Sequence, residues 1–152
     1  MEQSTEQKLG IASDHGGFAL KQELIPWLKE RGLDVVDLGC HGLDSVDYPD
    51  LASKLTQGIS NGEFARGILI CGTGLGMSMA ANRHLGIRAA LCTSGYTARM
   101  ARAHNDANVL CMGGRVVGGG LAQDIVDAFL SQDFEGGRHA RRIARLDEAV
   151  TE

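Results

Sequence analysis

The stretch Ile68-Leu69-Ile70-Cys71-Gly72-Thr73-Gly74-Leu75-Gly76 decides how the chain is read. An aliphatic run of strand length ends in a cysteine. A glycine-rich turn follows, and the spacing beyond it predicts a helix over Gly76–Arg83. A strand, a glycine loop and a helix start form a natural anion cradle. Glycines let backbone N–H groups converge, and the helix N-terminus adds positive potential. Two common versions of this arrangement fit the residues poorly. The spacing is G-x-G-x-G rather than G-x-G-x-x-G, and the next apolar run, Ile87–Cys92, ends without the acid that would hold a ribose. No Gly-Lys-Ser/Thr follows, so the loop is not a Walker A loop.

Outward from this stretch, short apolar runs recur at Leu9–Ala12, Val35–Leu38, Ile87–Cys92 and Val109–Met112. Several are apolar throughout, as strands buried on both faces are. Helical spacing lies between them, over Phe18–Lys29, Leu51–Ile59, Ala98–Ala103 and Leu121–Leu130, with a last helix over 138–150. Pro26 is expected to kink or divide the first helix. Strict alternation of strand and helix predicts an α/β fold: three α/β/α layers around a five-stranded parallel, Rossmann-like sheet. The expected organisation is one domain over 1–152, with 1–7 as a frayed tail. Ligands of such sheets bind beyond the carboxyl ends of the strands. The segments there are Asp14–Gly17, Gly39–Tyr48, Cys71–Gly76, Thr93–Gly95 and Gly113–Arg115.

Composition narrows the function. The 152 residues carry a net charge of -4, with both signs interspersed, which argues against nucleic-acid binding. No apolar run approaches the roughly 18 residues of a membrane span, and the polar start MEQSTEQ does not read as a signal peptide. The four cysteines, Cys40, Cys71, Cys92 and Cys111, form no C-x-x-C pair. Neither a zinc knuckle nor a disulfide framework is expected, and a reducing cytoplasm suits them. The 21 glycines are about twice the usual share of roughly 7%. With no low-complexity linker to absorb them, they point to tight turns and main chain approaching a ligand.

Individual residues leave alternatives open. A helix N-terminus favours a thiolate, so Cys71 is a candidate base for a carbon-bound proton. It is equally read as a small buried apolar residue. Cys40, Cys92 and Cys111 read as core. Asp14-His15 suits an acid–base pair, or a helix cap for Asp14. His104, in the loop His104-Asn105-Asp106, would join His15 and Cys71 at one sheet edge. Arg138 and Arg142 are four apart, so one helix face carries both. They suit a phosphate, or a solvated face paired with Asp147 and Glu148.

Taken together, Ser13-Asp14-His15, Asp47-Tyr48-Pro49, Gly67–Gly74, Ala80-Ala81-Asn82, Gly86-Ile87-Arg88-Ala89, His104-Asn105-Asp106, Gly114–Gly118 and Glu135–His139 are spread along the chain, in a match that runs from about Leu9 to Arg142. In that order they resemble the type B ribose-5-phosphate isomerases, in the wider family that includes allose- and galactose-6-phosphate isomerases. The resemblance implies an aldose–ketose isomerase acting through an enediolate, without cofactor or metal. It implies that Cys71 moves the C1/C2 proton with help from Thr73, while backbone at Gly72, Gly74, Leu75 and Gly76 steadies the enediolate. Asp14 and His104 would open the sugar ring. Tyr48 and Asn105 would touch sugar hydroxyls, with Arg115 among the substrate-binding positions, and His15, Arg138 and Arg142 would grip the phosphate. One branch of the family carries a glutamate base at the position of Met77. Met77 cannot accept a proton, so this chain sides with the cysteine users.

The resemblance further implies a homodimer or homotetramer with shared sites, where His104, Asn105 and part of the basic cluster come from the partner subunit. The partner molecule is a phosphorylated sugar, and neither nucleic acid nor membrane is expected. Two alternatives stand beside ribose 5-phosphate isomerisation. One is action on an allose, galactose or tetrose phosphate. The other is a non-catalytic phosphosugar-binding subunit, which would need no thiol base.

Overall fold

Three strands are buried along almost their whole length: β1 (Lys8–Ser13), β3 (Arg66–Cys71) and β5 (Val109–Gly113). They form the middle of a parallel sheet, flanked by two half-buried edge strands, β2 (Asp34–Asp37) and β4 (Ala89–Leu91). The computed structural model describes residues 8–151, so the tail expected over 1–7 lies outside the described residues. The strand order is β2-β1-β3-β5-β4, and every pairing is parallel. The expected five-stranded α/β architecture is what the chain adopts.

Strand alternation divides the core into two faces. Leu9, Ile11, Ile68, Ile70, Leu110 and Met112 pack with α1 (Phe18–Glu30), α4 (Gly95–Asn105) and α5 (Gly119–Ser131). Ala12, Leu69, Cys71, Val109 and Cys111 pack with α2 (Tyr48–Ser60) and α3 (Leu75–Ala81). The last helix, α6 (Arg138–Thr151), lies against α4. The chain runs outward from β1 to β2 on one side, and from β3 toward β4 on the other. The loops after β1 and β3 therefore diverge and leave a crevice at this switch point.

Element boundaries differ from expectation for local reasons. Helix α1 passes through Pro26 without dividing. Proline removes the bond to the carbonyl four residues back, and Gln22 and Pro26 are both exposed, so water can serve that carbonyl. Helix α2 starts three residues earlier than the apolar spacing indicates, because Asp47 takes the N-cap position and Pro49 sits in the first turn. Helix α4 is longer at both ends. Ser94 Oγ accepts from the Thr97 N–H at 3.1 Å at its start, and the helix continues through Asn105. His104 is thus in a final helical turn rather than a loop.

Among the described residues one charged side chain, that of Lys21, is fully buried. Lys21 Nζ donates to Asp37 Oδ1 at 2.6 Å and to the Cys40 carbonyl at 2.7 Å, tying α1 to the end of β2 and the loop after it. Asp37 Oδ1 also accepts from the Gly39 N–H at 3.0 Å. Removing one partner of such a pair strands the other. Asp37→Asn is expected to lower the unfolding free energy by about 2–3 kcal/mol, below the roughly 3–5 kcal/mol of a fully buried pair because Asp37 is 31% exposed. Urea denaturation measures this, and Lys21→Met, which leaves no buried cation behind, should cost less.

Candidate active site

Cys71 is the last residue of β3 and is 5% exposed. Its Sγ accepts a hydrogen bond from the Gly74 N–H at 3.1 Å. That bond requires the chain to double back over the sulfur, and Gly74 does so at φ +82°. A Cβ at Gly74 would stand 2.5 Å from Leu91 Cδ1 and 2.9 Å from the Met112 carbonyl carbon. Glycine is therefore demanded twice, by the dihedral and by the walls. The Leu75 N–H is oriented by Thr73 Oγ1 at 3.3 Å, and Thr73 itself is exposed beside the thiol.

The neighbouring loops close on this turn. The Gly114 N–H donates to the Cys71 carbonyl at 2.8 Å, and the Arg115 N–H to the Gly72 carbonyl at 3.0 Å. This brings the exposed Arg115 guanidinium beside Gly72. The loop after β1 approaches from the other side, where a Cβ at Gly16 would be 3.1 Å from the Gly72 nitrogen. Asp14 is 7% exposed, and its Oδ1 accepts from the Gly16 and Gly17 N–H groups at 2.9 and 3.2 Å. It shapes the turn into α1, whose N-cap position is Gly17. His15 Nδ1 accepts from the Val46 N–H at 3.3 Å, so the neutral ring carries its proton on Nε2. The Tyr48 ring covers Gly76 closely enough that a Cβ there would be 2.7 Å from Tyr48 Cζ.

Asp14, His15, Tyr48, the Cys71–Gly76 loop and Arg115 are therefore brought together. His104, Asn105, Arg138 and Arg142 are not. Helix α4 starts beyond the carboxyl end of β4 and runs back to the start of β5, about 16 Å for its 11 residues. The expectation of two imidazoles and a thiol at one edge within a chain is corrected. His15 shares the edge with Cys71, and His104 stands at the opposite one.

At that opposite edge the His104 and His139 rings stack with centroids 4.2 Å apart and planes 11° from parallel. Glu135 Oε1 lies 3.8 Å from His104 Nε2 and 3.7 Å from His139 Nε2. Arg138 and Arg142 stand exposed on the first turns of α6. This edge offers an imidazole with a carboxylate beside it and two guanidiniums. The other edge offers a thiol, a hydroxyl and backbone donors.

The sequence matches the Ribose/Galactose Isomerase family over residues 9–146. The chain belongs to that family. Ribose-5-phosphate isomerase B of Escherichia coli (strain K12) is 48% identical over 145 residues, covering 95% of each chain. A putative sugar phosphate isomerase of Bacillus subtilis (strain 168) is 46% identical, over 93% of this chain and 95% of that one. Among solved structures, ribose-5-phosphate isomerase B of Clostridium thermocellum matches with a TM-score of 0.94 at 56% identity, covering 95% of this chain and 97% of that one. A ribose 5-phosphate isomerase from Thermotoga maritima matches with a TM-score of 0.92 at 55% identity, over 93% and 97%.

Sequence reading of this family member gave Glu135 and His139 no role of their own. The signal available was the i, i+4 spacing of the two, just ahead of the basic helix. Burial holds His139 below the ordinary imidazole pKa, aided by the positive charge of His104, Arg138 and Arg142 and opposed by Glu135. The neutral ring is then favoured in the folded chain. Its contribution to stability should hold above the ordinary imidazole range and be lost as pH falls below it. A ¹³C-imidazole NMR titration should find His139 protonating below the ordinary histidine midpoint, and His139→Asn should flatten stability against pH in that window.

Proposed function

We propose that the chain interconverts ribose 5-phosphate and ribulose 5-phosphate, acting along its length as one sugar-phosphate isomerase domain. The observation that carries this reading is the Cys71 thiol, nearly buried at a strand end, hydrogen-bonded by Gly74 and backed by a glycine loop. The identity of 48% to a ribose-5-phosphate isomerase B supports the choice of sugar.

In the proposed reaction the Cys71 thiolate takes the C2 proton of the open-chain aldose. Charge passes to the carbonyl oxygen, giving an enediolate. Backbone N–H groups around Gly72, Gly74, Leu75 and Gly76 stabilise it as an oxyanion hole does. Returning the proton to C1 gives the ketose, and Thr73 assists the oxygen-bound proton. Asp14 and His104 open the ring. Tyr48 and Asn105 contact sugar hydroxyls. The phosphate is held by His15 through Nε2–H and by Arg115, Arg138 and Arg142, whose planar forks suit its oxygens.

The two edges of one chain cannot meet on one small sugar, which supports a homodimer or homotetramer. Cys71 of one subunit would face His104, Asn105, Arg138 and Arg142 of another. The four buried free cysteines are compatible with a reducing cytoplasm, the compartment we propose. Among the described residues no helix is long and apolar enough to cross a membrane.

Cys71→Ala should lower kcat by at least about 10²–10⁴ and leave the circular dichroism spectrum unchanged. Near-normal turnover of ribose 5-phosphate would remove Cys71 from the mechanism. Comparing kcat/KM over ribose, allose, galactose and tetrose phosphates tests the substrate.

Mixing tests the shared site. Inactive Cys71→Ala and His104→Ala proteins, combined equally and refolded, should form mixed dimers as about half of all dimers. Each holds one doubly defective and one intact site, so about one quarter of all sites recover. Confirmed subunit exchange with no recovered activity would put both groups in one chain.

A further inference from the structure

His104, Glu135 and His139 also form a ligand set. One ring nitrogen of each histidine and one Glu135 carboxylate oxygen all lie within 4.8 Å of one another. The three come from two segments, the end of α4 and the turn into α6, that are pinned together by the Glu135 N–H donating to the Ala103 carbonyl at 3.0 Å, beside His104; within the second, the His139 N–H donates to the Gly136 carbonyl at 3.1 Å. The His104 and Glu135 side chains are 40% and 53% exposed, so the cluster opens to solvent and has room for water as a further ligand.

We propose that His104, Glu135 and His139 form an inhibitory site for a late first-row divalent metal ion, with Zn²⁺ the best match. Two imidazoles, one carboxylate and a water make a set that zinc accepts, whereas magnesium and calcium prefer oxygen alone. Zinc bonds of about 2.0–2.1 Å place neighbouring ligand atoms about 3.3 Å apart. The two histidine–carboxylate separations, 3.8 and 3.7 Å, are within about half an ångström of that. The rings stack with centroids 4.2 Å apart and planes 11° from parallel, so binding both to one ion requires them to swing open. His104, being the more exposed, has the room to do so. Arg138 and Arg142 add positive charge nearby, which weakens the binding of a cation. A metal on His104 occupies the lone pair that ring opening uses. The inhibitory part of the proposal thus rests on the role proposed for His104, while binding does not.

The test reads binding and inhibition separately. Chelator-stripped full-length protein is titrated with Zn²⁺ against a chromophoric chelator, and with Co²⁺ by visible absorption. Expected is one equivalent at micromolar affinity in the wild type and in Cys71→Ser, weakened about tenfold or more in Glu135→Ala and in His139→Asn. The Co²⁺ spectrum should lack the intense near-ultraviolet band of a thiolate ligand. Thermal melts of each variant separate lost ligation from lost folding. Binding that vanishes in Cys71→Ser and persists in the other two would place the metal on the thiol and overturn the site, as would no binding below millimolar Zn²⁺. Micromolar Zn²⁺ should inhibit isomerisation, reversibly with EDTA and less in Glu135→Ala. Binding at the trio without inhibition would support the site and count against the role of His104.

Discussion

The hydrogen bond from the Gly74 N–H to Cys71 Sγ joins the fold to the chemistry. It exists because β3 stops at Cys71 and the chain reverses within three residues. The reversal needs a positive φ and a backbone slot between Leu91 and Met112. That slot is set by the neighbouring β5 and β4, which lie on the same side of β3. The carbonyl of Cys71 is meanwhile held by the Gly114 N–H from the loop after β5. A displaced β5 would move the wall of the slot and a tether of the thiol's backbone together. The thiol is positioned by the sheet itself and not by a flexible arm.

The same architecture explains the division of groups between two edges. A parallel sheet sends each crossover helix back to the starting edge. Residues at strand ends and residues at helix ends therefore collect at opposite edges. Cys71, Asp14 and His15 follow strands, while His104 and Asn105 end a helix. No adjustment within a chain of this size brings the sets together. The symmetric association proposed above would do so without disturbing either, since a twofold axis can set the far edge of one copy against the near edge of another.

Strand and helix order was legible because buried strands such as Ile68–Cys71 and Val109–Met112 are continuous apolar runs, and helices between them have a different period. Boundaries were less legible. The start of α2 is set by Asp47 and Pro49 rather than by apolar spacing, and the start of α4 by Ser94, so cap chemistry decided what hydrophobicity did not. At the site, the glycine loop and Cys71 stood out through spacing. At the opposite edge Arg138 and Arg142 stood out by their spacing of four, but the pairing of His104 with His139 did not, because their stacking depends on how α6 docks against α4, a tertiary fact with no periodic signature. Asp14 was read as an acid–base group or a cap. Its Oδ1 does serve as an acceptor for the turn, at Gly16 and Gly17 rather than at a first-turn N–H.

Four cysteines are buried and free, and position separates them more than exposure does. Cys111 sits in the middle of β5, fully enclosed. Burial pushes its thiol far up, and Cys71 and Cys92 nearby raise it further, so it stays protonated. Burial likewise raises Cys92, against a weaker opposing contact with Thr97. Cys40 turns its sulfur to the Gly42 carbonyl at 3.3 Å, which makes the thiol a donor. Cys71 has the reverse arrangement, with an N–H donating to sulfur. A group that accepts a hydrogen bond can carry negative charge, whereas one that donates must keep its proton. The Gly74 N–H on the Cys71 sulfur marks it off from Cys40, whose sulfur donates, while Cys92 and Cys111 are set apart by burial.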